Sequence, residues 1–391
     1  MNINDLPNDC LLLIFDQFYQ LRQFATFMKV CRRWKILVEK RLKKITHLDV
    51  SLFTPLIQNG DSAEQYLPIT HRCIITISRR FLMKIKLSKL FPNVKIIHLE
   101  NFTKNCPCAL LVHLLTNTNQ IKGLSYLDYR FEMSHKCKIL EREEKRITSF
   151  LSDIEFLGIS NDIIVTSYLR TFGHLKKLKS LGNCLENYFQ PVNLLHVLKF
   201  TQFLMNLERL VTFCNDEFDN DFVRVENQLP IFGNLLHLQL ENISKKGSSF
   251  TKFLNLCPNL LNLSLIVHNV GVERIHQINK NLNVQRLNLL FSWDRDKMLK
   301  VIEKFPNCRY LSIGGYALLS SRDLIQIITI LPRLSLFLIE NERNDLAERQ
   351  IVKSYCHSQN RKIDVYFGST DDKLMMSHEL YRKFHNSFLY K

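Results

Sequence analysis

The sequence predicts an α/β fold: a solenoid with a curved parallel sheet and outer helices, preceded by an all-α unit of three helices. Three observations predict it. An apolar LxxLxL pattern recurs at a nearly constant spacing, Pro precedes several copies at one offset, and the first forty-odd residues break the repeat with helical stripes instead. Repeated strand-and-return units that cannot bury their apolar faces singly must stack, which defines a solenoid.

Within residues 1–43, Leu11, Ile14, Phe15 and Phe18 lie at i, i+3, i+4 and i+7 after a Pro7-Asn8 start signal, predicting a first helix. Phe24 and Phe27 mark a second short helix, and Trp34, Val38 and Leu42 a third stripe. A unit of this size is near the limit at which a lone core suffices. Leu12 and Leu13 fall off the main stripe, and that surplus apolar surface implies a protein partner.

From residue 44 to 370 the repeat takes over. Its clearest copies are Leu235-Leu238-Leu240, Leu260-Leu263-Leu265, Val284-Leu287-Leu289, Cys308-Leu311-Ile313 and Leu334-Phe337-Ile339, with middle positions 25, 24, 24 and 26 residues apart. Pro92-Asn93, Pro258-Asn259, Pro306-Asn307 and Pro332-Arg333 precede copies at one offset. A period of roughly 20–29 residues with this pattern is the leucine-rich-repeat signature. LxL alternation makes a short strand with one face inward. Ser321 to Leu331, apolar at Leu324, Ile327, Ile328 and Leu331, predicts a returning helix. Earlier copies are looser: Ile45-Leu48-Val50, Val94-Ile97-Leu99, Ile154-Leu157-Ile159, Leu175-Leu178 and Leu207-Leu210, with segments near Ile74 and Leu124 filling the gaps. About thirteen units result, with the register open before about residue 200. Residues 371–391 read as a capping helix, with Leu380, Phe384 and Phe388 on one face.

The N-terminal motifs carry a family resemblance. Leu6-Pro7-Asn8-Asp9, then Ile14-Phe15, Leu21, Phe24 and Val30-Cys31-Arg32-Arg33-Trp34-Lys35 resemble an F-box over residues 3 to about 43, with a second helix more polar than usual at Gln20, Gln23 and Thr26. Followed by the repeats, the chain resembles the F-box/leucine-rich-repeat class. The resemblance implies the substrate-recognition subunit of an SCF-type ubiquitin ligase, itself non-catalytic. Its F-box would dock a Skp adaptor, and through it a cullin–RING ligase, while the repeats hold a protein target. Leu6, Pro7, Leu11, Ile14, Phe15, Val30, Cys31 and Trp34 would be the contact and core set. The alternative roles of this segment are a helical cap that only closes the solenoid, or a vestigial F-box on a scaffold whose basic face binds nucleic acid or a phosphoprotein.

On the repeats, the leucines are core, so a target would meet outward strand positions. Those include His98, Glu100, Phe156, Gln239, Asn262, Arg286, Asn288, Arg309, Tyr310 and Leu336. The chain carries 53 basic and 37 acidic side chains, and residues 1–150 hold 24 of the former against 13 of the latter. The runs Arg32-Arg33-Lys35, Lys40-Arg41-Lys43-Lys44, Arg79 to Lys89 and Lys136 to Arg146 read as a solvated positive face suited to an acidic adaptor. No aromatic interleaving or helix-turn-helix pattern favours nucleic acid.

Other classes are excluded by composition and motif. At 46% hydrophobic the chain is not disordered. Its longest charge-free stretch, Phe253 to Val272, holds Pro258, His268 and four Asn, so no membrane span is expected. The N-terminus lacks a signal-peptide pattern, and eleven scattered Cys read as reduced thiols in a cytoplasmic or nuclear protein. Phosphate loops, HExxH and CxxC pairs are missing, and Cys106-Pro107-Cys108 with His113 lacks a second pair at finger spacing. Neither a cofactor nor a metal is expected. Asp216 to Asp221 reads as a solvated loop, and Cys31 as a packing residue.

Overall fold

The computed structural model describes residues 3–18, 20–51, 74–78, 87–100, 120–127, 153–159, 177–185, 188–190, 192–194, 198, 205–214, 222, 229–242, 248–267, 275–291, 295–315, 319–340 and 346–367. The chain divides into two compact units, Met1–Leu178 and Lys179–Lys391. In both, the strands of the main sheet run parallel, with buried side chains aligned in rows across them.

The first unit begins with a 3-10 turn, Ile3–Asp5, and three helices: α1 (Asn8–Phe15), α2 (Leu21–Phe27) and α3 (Arg32–Leu42). Their core is aromatic. Phe15 and Phe27 stack with centroids 5.4 Å apart, and Trp34 meets both rings edge-on at 5.2 and 5.9 Å. Leu11, Phe24, Leu37, Val38 and Leu42 close the rest. Asp16, just past α1, forms a 2.7 Å ion pair with Arg41 of α3, both of them buried. Arg41 therefore leaves the basic run that the sequence placed in solvent; its guanidinium also lies 5.9 Å from the Phe24 ring centroid. One buried cation thus ties α1 and α2 to α3.

The sheet of this unit contains β1 (His47–Ser51), β2 (Ile74–Ser78), β3 (Ile96–Glu100), β4 (Gly123–Leu127) and β5 (Phe156–Ile159), with a short helix, α4 (Leu87–Leu90), before β3. Leu48, Ile97, Leu124 and Leu157 share one register row and are buried. The strand order departs from simple succession. β1 pairs with both β2 and β3, so β2 lies beyond β1, with α2 against it. The segment near Ile74 is therefore not a coil between its sequence neighbours.

In the second unit β6 (Ser180–Leu181) pairs with the start of β10 (Arg209–Cys214), and β9 (Val192–Asn193) pairs further along it. An antiparallel hairpin, β7 (Asn183–Leu185) and β8 (Tyr188–Gln190), fills the break. Gly182 makes the break possible. Its φ is +90°, and a Cβ there would meet the Val211 carbonyl oxygen at 2.3 Å.

From β10 onward the repeat is regular: β11 (His237–Asn242), β12 (Asn262–Val267), β13 (Arg286–Phe291), β14 (Tyr310–Gly315), β15 (Leu336–Glu340) and β16 (Asp364–Phe367) pair successively. Leu238, Leu263, Leu287, Leu311 and Phe337 form one buried row, and Leu240, Leu265, Leu289, Ile313 and Ile339 a second. The five copies read from the sequence are the five core coils. Helices α5 (Ser248–Asn255), α6 (Arg295–Ile302), α7 (Ser321–Ile330) and α8 (Leu346–Ser358) return the chain. On α7 the predicted stripe, Leu324, Ile327, Ile328 and then Leu331, is fully buried. Ser320 caps that helix reciprocally with Asp323, which also receives Arg295 of α6 at 2.9 Å.

The residue just before each apolar triplet ties neighbouring coils together, and in two of the proline-marked copies it is the Asn that follows Pro258 or Pro306. Asn259, Asn283 and Asn307 each donate a side-chain amide to the carbonyl of the preceding coil, at Gly233, Pro258 and Leu282. Asn234 does the same to Met205. In the first unit Asn93 reaches Lys43 and Gln120 reaches Phe91, while an Asp153–Lys177 ion pair replaces the amide. The proposed capping helix over 371–391 lies outside the described residues.

Candidate functional site

Surface chemistry is uneven along the chain. Eight large hydrophobic side chains are exposed among the described residues, and four of them, Ile3, Leu13, Val30 and Ile36, belong to the three-helix unit. Clustered exposed apolar groups mark interaction sites more than scattered ones do.

Arg33 organises this surface. Its Nε donates to Asn8 Oδ1 at 2.8 Å, and its Nη1 and Nη2 donate to the carbonyls of Asn4 and Leu6 at 2.5 Å each. Trp34 Nε1 adds a 3.0 Å bond to Asn4 Oδ1. The N-terminal segment is thereby fastened to the start of α3. Ile36 follows Arg33 by three residues on α3, so this exposed apolar side chain neighbours the residue that holds Leu6 in place, and Val30 lies exposed just before the N-cap Cys31.

The eight F-box positions divide by burial. Leu11 and Phe15 are core, and Trp34 is 8% exposed with its ring in the aromatic cluster. Leu6 and Ile14 are half-buried. Pro7, Val30 and Cys31 face solvent. Cys31 caps α3, its Sγ accepting from the Trp34 amide at 3.5 Å, so its observed role is capping and not interior packing. Of the off-stripe pair expected to add apolar surface, Leu13 is exposed and Leu12 is buried, while sequence reasoning missed Arg33 and Ile36 as surface determinants. A signal existed for Ile36, which lies off the Trp34–Val38–Leu42 stripe; nothing in the spacing marks Arg33, whose partners are 25 to 29 residues away.

A second surface is the outward face of the repeat strands. In the first unit Phe156 is half-buried beside Gly123, where a Cβ would meet both Ile96 and Phe156 at about 3 Å. His98 and Glu100 have their backbone in β3, and their side chains lie outside the described residues. In the second unit Asn262 Nδ2 lies 2.6 Å from His237 Nδ1, and Asn288 Nδ2 donates to Ser264 Oγ at 3.2 Å. Gln239 is half-buried on β11. Arg286 lies with its guanidinium carbon 5.3 Å from the Tyr310 ring centroid. Leu336 and Leu338 are buried on this face, with Tyr310 and Tyr366 packed against them. Arg309 precedes β14, exposed, its carbonyl accepting from Ser335 and Leu336. The structure thus brings Asn262, Arg286, Asn288, Tyr310 and Leu336 together on adjacent strands, and leaves Arg309 at the strand entrance.

No helix among the described residues is long and apolar enough to cross a membrane. Among them, no group of three or more His, Cys, Asp or Glu is placed to hold a metal ion. The thiols of Cys257 and Cys308 are buried, which pushes both upward, Cys308 to about 12. Such thiols serve packing and not nucleophilic chemistry.

The described elements thus form three N-terminal helices followed by a solenoid of parallel strands with returning helices. Residues 3–44 match the family described as F-box-like. Among solved structures, a chain in the crystal structure of the Rad7 and Elc1 complex in yeast is similar at 14% identity and a TM-score of 0.42, over 77% of this chain and 80% of that one. No curated protein matches significantly.

Proposed function

We propose that the chain is the substrate-recognition subunit of an SCF-type ubiquitin ligase, with residues 1–43 docking a Skp adaptor and leucine-rich repeats over 44–370 holding a protein target. The observation that carries this reading is the concentration of exposed apolar side chains on the F-box-like unit, beside a Leu6-Pro7 segment clamped by Arg33. An isolated helical cap has no use for Ile3, Leu13, Val30 and Ile36 in water, whereas a partner surface that buries them gains about 25 cal/mol per Å² of apolar area.

The mechanism follows from geometry alone. The docking module fixes the adaptor and the repeats fix the target, so a target lysine is held at high effective concentration near the recruited conjugating enzyme. No residue of this chain then needs to take part in bond making, and the ubiquitinated target would pass to proteasomal degradation.

Co-expression of the full-length chain with a Skp adaptor tests the reading. Wild type should co-purify with the adaptor, and Val30→Asp/Ile36→Asp should not, because a charge forced into an apolar interface carries its desolvation cost. Both positions are more than half exposed, so folding should survive. Absence of wild-type capture contradicts the proposal.

A further inference from the structure

The outward face of β13 to β16 has a chemistry that specifies a ligand class. Two register rows cross it: Arg286, Tyr310, Leu336 and Asp364, and beside them Asn288, Ser312, Leu338 and Tyr366. Leu336 and Leu338 are buried and support the half-exposed rings of Tyr310 and Tyr366. Next to this apolar cluster sits Arg286, half-buried, with the Tyr310 ring against it and no carboxylate paired to it among the described residues. Burial lowers its pKa from the usual arginine value, the direction expected of a cation taken from water without a counter-charge. The described carboxylates nearest in the row order are Asp364, three strands away, and Glu241, two strands away, at about 4.8 Å per strand. Arginine and tyrosine are also the side chains most often found as binding anchors.

Resting on the target-binding reading above, we infer that this face docks a segment of a protein target in which a carboxylate side chain adjoins an apolar or aromatic one: the carboxylate pairs with Arg286, and the apolar group lies on Tyr310 and Tyr366. A nucleic acid fits less well. A phosphate backbone needs a track of cations, and the described outward positions of β11 to β16 offer Arg286 with His237, which is already bonded to Asn262. The strongly basic balance of the whole chain, +16, also favours an acidic partner during encounter.

The probe is a phage-displayed library of random dodecapeptides selected on the full-length protein, followed by a fluorescein-labelled copy of the best peptide. Selected sequences should pair Asp or Glu with a neighbouring Phe, Tyr, Leu or Ile. Affinity should fall about tenfold or more with Arg286→Gln and with Tyr310→Ala, and much less with Arg286→Lys. Lys280→Ala, at an exposed site off this face, should change nothing. On the wild-type protein, replacing the peptide's acid by its amide should cost as much as Arg286→Gln, a comparison independent of any folding defect in the variant. Selection without acidic enrichment, affinity indifferent to Arg286→Gln, or an oligothymidylate that binds in place of peptides overturns the inference. Adaptor capture, measured on the same proteins, should be unaffected by Arg286→Gln. Loss of the peptide result with adaptor capture intact sinks only the inference. Peptide binding without adaptor capture sinks the ligase reading and leaves this face standing.

Discussion

At the scale of single residues, the most consequential side chain is one the composition hides. Arg41 stands in a run of Lys and Arg that reads as solvated, yet it is buried against Asp16 and Phe24. Its position i+3 from Val38 and i+7 from Trp34 placed it on the apolar stripe, and charge type alone argued otherwise. Removing one partner of a buried pair leaves an uncompensated charge, so Asp16→Asn should destabilise the first unit by about 3–5 kcal/mol, while Asp16→Leu/Arg41→Met should restore much of it. Urea unfolding of the three proteins checks this. His47 supplies a pH dependence. Burial lowers its pKa from 6.5 to about 4, so above 6.5 the group is neutral in folded and unfolded chains alike. As pH falls from 6.5 toward 4, the unfolded chain takes up a proton that the folded chain refuses, and stability drops. His47→Asn should flatten that part of the urea-midpoint profile.

At the scale of elements, the helices and regular strands were legible because each has one periodicity and short-range ends. The α7 stripe and the five core coils from β11 to β15 follow directly from apolar spacing. Three things escaped it. The hairpin of β7 and β8 interrupts one coil, which is why the repeat loses its register there. The placement of β2 beyond β1 is a long-range pairing with no local signal. Arg33, whose hydrogen bonds reach Asn4, Leu6 and Asn8, joins elements that spacing treats separately. Arg33→Ala should cost the first unit about 1–3 kcal/mol and weaken adaptor capture about tenfold, and Arg33→Lys should not rescue either, because lysine lacks the fork that serves three acceptors. The asparagine ladder makes a complementary prediction. Asn283→Ala should cost about 0.5–1.5 kcal/mol in urea unfolding by stranding the Pro258 carbonyl, and should leave adaptor capture unchanged.

At the scale of the whole molecule, the two-part architecture was readable before the geometry of either surface was. The Leu6-Pro7 start and the Val30-Cys31-Arg32-x-Trp34 spacing pointed to an F-box, and the recurring coils to a solenoid. Which side chains face outward was less legible. Leu11, Phe15 and Trp34 proved to be core, whereas Pro7, Val30 and Ile36 carry the exposed surface, since a motif records packing and contact residues without separating them. The central proposal is that the three-helix segment, α1 to α3, docks a partner through a surface distinct from the outward face of β11 to β16. Hydrogen–deuterium exchange of the full-length chain, alone and with a Skp adaptor, tests it most directly. The account predicts slower exchange from Leu6 to Ile14 and from Val30 to Ile36, with β11 to β16 unchanged. No protection in either F-box segment, or protection confined to the repeat strands, contradicts it.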